Sequence, residues 1–187
     1  MIQIRNGVFE TNSSSTHSIA IPRNCSSTIG GICFQVGEFG WGWESVDPAD
    51  YFYTAIYVVS ETLSEVEEKI CRLKDILNYY NIEFDFEDVE CKENNGWLSF
   101  DGYIDHGYEL KEFVDELLDN GDKLVRFLSG GLVFTGNDNS DTDERCFISR
   151  NEEYLDDYDW KTRTSFKVKN PYYMSNCDDY EWYYKGN

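Results

Sequence analysis

From Thr62 to Tyr80 the apolar residues return every three or four positions, as Val66, Ile70, Leu73, Leu77 and Tyr80. That period is the period of an α-helix with one buried stripe. Thr62 followed three residues later by Glu65 gives the helix a capping box. The same spacing puts Glu67, Glu68, Lys69, Lys74 and Asp75 on the opposite, solvated face. Upstream, Asp47-Pro48 predicts a helix start, with Asp as the cap and Pro at the first helical position. The stretch that follows, to Val59, is apolar on most sides and is expected to be buried. Residues 108–118 predict an amphipathic helix with Leu110, Phe113, Val114 and Leu117 on one side, stopped by Asn120-Gly121. A short helix from Asp122 to Leu128 is broken by Gly130-Gly131.

Elsewhere the period falls to two. Residues 82–90 alternate apolar and acidic side chains, with Ile82, Phe84 and Phe86 on one side and Glu83, Asp85 and Glu87 on the other. Residues 17–22, 31–36, 97–104, 132–135 and 164–168 predict further strands. Between them, Gly37 to Trp43 is a glycine–aromatic loop that either bends a strand or presents two Trp side chains, and core packing of Trp41 and Trp43 is the expected outcome. The pattern contains no internal repeat and no long linker. It predicts an α+β fold: one domain over residues 1–187, with a mixed or antiparallel sheet packed against three to four helices. The acidic and aromatic end, residues 176–187, is a docked terminus, a partner-binding tail or a flexible one.

Charge changes this picture most. Of 187 residues, 36 are acidic and 16 basic, a formal net charge of −20. Residues 1–30 carry a net +1, whereas residues 61–120 hold 18 acids and five bases. A negative middle of that strength repels phosphate backbones and anionic membranes, so direct nucleic-acid or membrane binding is not expected. Basic proteins with a positive nucleic-acid channel are the attractive partners. Solubility alone, or adaptation to salt, explains the same charge without any partner. The exposed side of residues 82–90 would form a ladder of carboxylates about 7 Å apart, near the spacing of successive phosphates on one strand. Glu83, Asp85, Glu87, Asp88 and Glu90, with Glu67 and Glu68 on the adjacent helix, are therefore the candidate partner-binding residues, in the manner of a DNA mimic.

The start of the chain lacks a basic segment followed by an apolar run, and no stretch approaches the length of a membrane helix, so a cytosolic location is expected. Six cysteines fit that compartment as free thiols. None forms a CxxC pair, and no metal or cofactor motif is present. The polar run 136–144 lacks the glycine and distal glutamate of a calcium loop.

The most unusual string is Phe9-Glu10-Thr11-Asn12-Ser13-Ser14-Ser15-Thr16-His17-Ser18, where six hydroxyl residues crowd an Asn and a His. Ser13 could be a nucleophile with His17 as its base. Arg5, Asn12, Ser13, Ser14, Ser15 and His17 could instead form an anion site, or contact a partner protein. Turns and caps that satisfy backbone groups near a strand start account for the same residues. No nucleophile elbow, Walker A or GxGxxG pattern accompanies the string.

The segment from Arg5 to Ser18 resembles an N-terminal signature of uncharacterised proteins from phages and mobile elements of Gram-positive bacteria. A phage setting, small size and strong acidity are together similar to anti-defence inhibitors, including some acidic type II anti-CRISPR proteins. The resemblance implies a protein acting in the bacterial host cytoplasm by occupying the DNA-binding surface of a CRISPR effector nuclease with its guide RNA. A small enzyme or nucleotide-binding protein using Ser13–His17, and a phage structural or assembly protein, are the alternatives. A homodimer is left open.

Overall fold

A computed structural model describes residues 15–24, 30–42, 44–94, 97–137, 152–170 and 173–185. Four strands make the main sheet: β1 (Ser15–Pro22), β4 (Glu44–Val46), β9 (Leu132–Asn137) and β12 (Tyr180–Lys185), in the order β12-β1-β9-β4. Every pairing in it is antiparallel. Residues directly opposite share a face, so one row runs Tyr183, Ile19, Val133, Val46 and the next runs His17, Thr135, Glu44. Ile19, Val133 and Val46 belong to the hydrophobic core, and Tyr183 packs against it.

Helix α1 (Pro48–Val58) runs through the middle of that core. Asp47 caps it by accepting from the Ala49 amide at 2.8 Å, as the Asp-Pro signal predicts. Eight of its residues, Ala49 and Tyr51 through Tyr57, are buried, which is why its apolar residues show no single stripe. Helix α2 (Leu63–Tyr79) buries Val66, Leu73 and Leu77. Its N-cap Thr62 accepts from the Glu65 amide, while the Glu65 carboxylate reaches back to the Glu61 amide. Lys69 is not on the solvated face: it is only 7% exposed. Three residues after Val66 and four before Leu73, it shares their stripe, and its aliphatic stem covers core while the ammonium reaches towards Glu65.

Helices α3 (Lys111–Asp119) and α4 (Gly121–Gly130) meet at Asn120, which ends the first and caps the second by accepting from the Lys123 amide. Helix α4 packs against β1, and α1 against β9. Lys123, 5% exposed, ties three elements together. Its ammonium lies 2.7 Å from Glu116 on α3, 3.2 Å from Glu181 on β12 and 4.5 Å from the Tyr183 ring centroid. The acidic–aromatic end of the chain is thus docked through residues 180–185.

Two short parallel pairs complete the body. β2 (Ile32–Phe34) pairs with β5 (Phe84–Phe86), and β3 (Glu38–Phe39) pairs with β8 (Tyr103–Ile104). The predicted strand 97–104 is interrupted: β7 (Trp97–Ser99) turns back on β6 (Lys92–Asn94), and β8 follows after Gly102. Trp41 departs from its expected core position. It is 41% exposed and stacks on Tyr103 at 5.4 Å between ring centroids. Trp43 lies outside the described residues. A strand the period-two pattern missed, β10 (Tyr154–Asp159), pairs with β11 (Thr164–Lys169) as a separate hairpin. The fold is α+β, with an antiparallel main sheet and four helices among the described residues. No helix among them is long and apolar enough to cross a membrane.

Candidate partner-binding cleft

His17 comes first, because the sequence offers it as a base. It sits in β1, 1% exposed, under the start of the helical layer. Its Nε2 lies 2.8 Å from the Asp105 carbonyl, and its Nδ1 lies 3.0 Å from the Tyr51 hydroxyl. A carbonyl can only accept, so Nε2 carries a proton and donates it, while Nδ1 accepts from Tyr51. Both ring nitrogens are engaged in holding β1, α1 and the segment after β8 together. Burial pushes the Tyr51 phenol upward, so it stays a neutral donor. Gly40, with φ +103°, lets the chain pass close by: a Cβ there would stand 2.8 Å from Asp105 Cβ and 3.4 Å from His17 Cε1. Of the other hydroxyl-segment candidates, Ser15 lies in β1, and Arg5, Asn12, Ser13 and Ser14 lie outside the described residues. No group of three or more His, Cys, Asp or Glu side chains among the described residues could hold a metal ion.

The acidic candidates fare differently. The alternation at 82–90 is kept although only Phe84–Phe86 is hydrogen-bonded as strand, because its parallel partner β2 is three residues long. Ile82 is buried and Phe84 and Phe86 are half-buried, with Phe86 stacked on Phe34 at 4.7 Å. Glu83, Asp85, Glu87, Asp88 and Glu90 are all exposed. Glu87 is held, however: its Oε2 accepts from the Val36 amide at 3.0 Å, next to the Gln35 amide that donates to Asp50 at 2.9 Å. Glu67 and Glu68 are exposed on α2.

Glu87, Asp88 and Glu90 form one wall of a cleft of about 1840 Å³. Its floor is the C-terminal end of α1, Tyr57 to Val59, with Val36, Val89, Leu98 and Phe100 beside it. Strands β6 and β7 line the cleft through Lys92, Asn94 and Trp97 to Ser99, and Trp97 is 79% exposed. Glu38, Glu61 and Asp101 complete six carboxylates around the opening, against the two ammonium groups of Lys92 and Lys111. The last turn of α1 contains no basic residue, so the negative end of its dipole adds to the field of those carboxylates. Glu83, Asp85, Glu67 and Glu68 do not line this cleft. Four residues that do line it, Tyr57, Trp97, Phe100 and Tyr103, were not chosen from the sequence, because only the fold brings residues 57–61, 87–92 and 97–103 together.

Two groups in and behind the cleft are held towards their neutral forms by burial. Burial raises the Tyr57 phenol, with Cys91 and Asp88 adding to the rise and the Tyr53 hydrogen bond opposing it. Burial likewise raises the Cys91 thiol, which therefore stays protonated and is a poor nucleophile. What the arrangement offers is an apolar, aromatic floor that takes up side-chain stems, and a carboxylate rim that takes up cationic ends. No family model matches this chain, and neither a curated protein nor a solved structure is significantly similar to it.

Proposed function

We propose that this chain is an inhibitory binding protein whose acidic cleft receives a lysine- and arginine-bearing segment of a nucleic-acid-processing enzyme. The observation that carries the proposal is the pairing of six carboxylates with an aromatic floor in one open cleft. Aromatic side chains with cationic ones are the chemistry found at the energetic centres of protein interfaces, and a carboxylate rim steers such a segment inward. The exposed carboxylates of Glu83 and Asp85 extend the acidic surface beyond the cleft along β5. The resemblance of Arg5–Ser18 to phage and mobile-element proteins directs the proposal to a host defence enzyme, and the acidity directs it to the DNA-accepting channel of a CRISPR effector nuclease with its guide RNA.

The test is a pull-down with a type II effector–guide complex, followed by DNA cleavage with and without the protein at several salt concentrations. Capture and inhibition that weaken as salt rises are expected, as is their loss in an Asp88→Lys/Glu90→Lys variant. Neither capture nor inhibition at low salt would sink the proposal.

A further inference from the structure

The β10–β11 hairpin sets a second problem. It forms its own two-stranded sheet and packs closely against no other helix or strand among the described residues. At its base Leu155 and Asn170 are buried, but further out Trp160 is 84% exposed, Phe166 46% and Tyr158 38%. Tyr158 and Trp160 meet edge to face at 4.8 Å. Large aromatics clustered in the open mark an interaction surface. The hairpin's basic residues are gathered in one stretch: Trp160 to Lys169 contains Lys161, Arg163, Lys167 and Lys169 and no acid, whereas β10 carries Asp156, Asp157 and Asp159, and Lys167 pairs with Asp156 at 2.8 Å. The turn at the tip is hydrogen-bonded within itself. Asp159 accepts from the Lys161 amide at 2.8 Å, and Arg163 closes the turn at φ 58°.

An aromatic, cationic strand with an exposed tip is what the acidic cleft accepts. We infer that this hairpin docks into the cleft of a second copy of the chain, giving a dimer in which each hairpin fills the other's cleft. A donor hairpin and an acceptor cleft on one chain make a head-to-tail contact, which closes at two when each hairpin fills the other's cleft and otherwise grows into rings or filaments. At physiological ionic strength charges more than about 8 Å apart are largely screened, which weakens the repulsion between two acidic bodies while leaving attraction between tip and rim groups in contact. The inference rests on reading the cleft as a receptor for a cationic segment, and it makes the dimer a masked state that a target must open.

The experiment is sedimentation of the full chain at 150 mM salt over a concentration series, with circular dichroism to check folding. A concentration-dependent dimer is expected. Trp160→Ala, and separately Lys161→Glu/Arg163→Glu, should each raise its dissociation constant about tenfold or more. Asp88→Lys/Glu90→Lys in the cleft should do the same. Mixing the reversed-tip and reversed-cleft variants should restore a heterodimer. A wild-type monomer at every concentration, or a dimer indifferent to tip and cleft substitutions, would overturn the inference. So would a monomer whose tip binds a short single-stranded oligonucleotide. A nuclease that binds the monomeric tip variants, with no wild-type dimer, would leave the proposed function standing and remove only this inference. A dimer restored by charge exchange in a protein that captures no nuclease would do the reverse.

Discussion

The Tyr51 hydroxyl donates to Nδ1 of His17 at 3.0 Å, from the N-terminal half of the buried helix α1 to an inner strand of the main sheet. Tyr51→Phe keeps the ring and removes only the donor. It is expected to cost about 1–3 kcal/mol, the penalty for taking a partner from a buried polar atom. Gly40→Ala should destabilise the same junction, because it forces a side chain into a positive-φ position 2.8 Å from Asp105 Cβ. Urea unfolding of both variants measures these costs. Stabilities unchanged from the parent would show that His17 is not a structural residue.

Trp97 offers a direct readout of the cleft, because it lines the cleft and is 79% exposed. A short lysine/arginine peptide bearing one aromatic residue should shift its fluorescence, which is assigned by subtracting the Trp97→Phe variant. The affinity should fall steadily as salt rises, and Asp88→Lys/Glu90→Lys should flatten that slope. An affinity independent of salt would mean that the carboxylate rim does not take part in binding.

Lys123 is buried between two carboxylates that are each about half exposed, with side-chain exposures of 48% for Glu116 and 42% for Glu181. The two sides of this ion pair are therefore unequal. Removing both acids, as Glu116→Gln/Glu181→Gln, strands an ammonium in the interior and should cost about 3–5 kcal/mol. Lys123→Met should cost less, because the acids it leaves behind can turn to water. Thermal unfolding of the single and double variants decides this, and a Met variant less stable than the double Gln variant would contradict it.

Asp50 supplies a pH signature. Burial raises its carboxyl above the ordinary 3.8; the Gln35 amide opposes that rise, and Asp47 and Glu87 add to it. Between 3.8 and the raised value the folded chain holds more protons than the unfolded one, so this group's contribution falls as pH rises through that window. Asp50→Asn should therefore be more stable than the parent at neutral pH, and the difference should vanish as pH falls below 3.8. Denaturation midpoints of the two proteins across pH 3 to 7 (an approximate range) would show a constant difference if the rise were absent.

Much of the architecture was legible because it is local. The stripe of α2, the Asp47 cap of α1 and the stop of α3 at Asn120 depend on neighbours within a turn or two. Lys69 escaped because its charge outweighed its spacing, although three from Val66 and four to Leu73 is a core interval. Strand β10 escaped because Asp156, Asp157 and Asp159 interrupt its apolar residues and strand formation there depends on pairing with β11. The alternation at 82–90 correctly gave the exposed carboxylates, but not which of them share a cleft. That depends on parallel pairings of β2 with β5 and β3 with β8, which join segments about 50 and 65 residues apart in a way that no local pattern records.

The place of β1 between β9 and β12 has a consequence for biosynthesis. Ser18 pairs with Phe134 on one side and Tyr184 on the other, so this strand takes its last partner from residues made much later. Pairings of such long sequence separation form slowly. While the ribosome is still working, Ile19 and Ile21 belong to a strand with one unprotected border. The nascent chain is then exposed to capture by chaperones or by other unfinished chains until residues 180–185 emerge and close it.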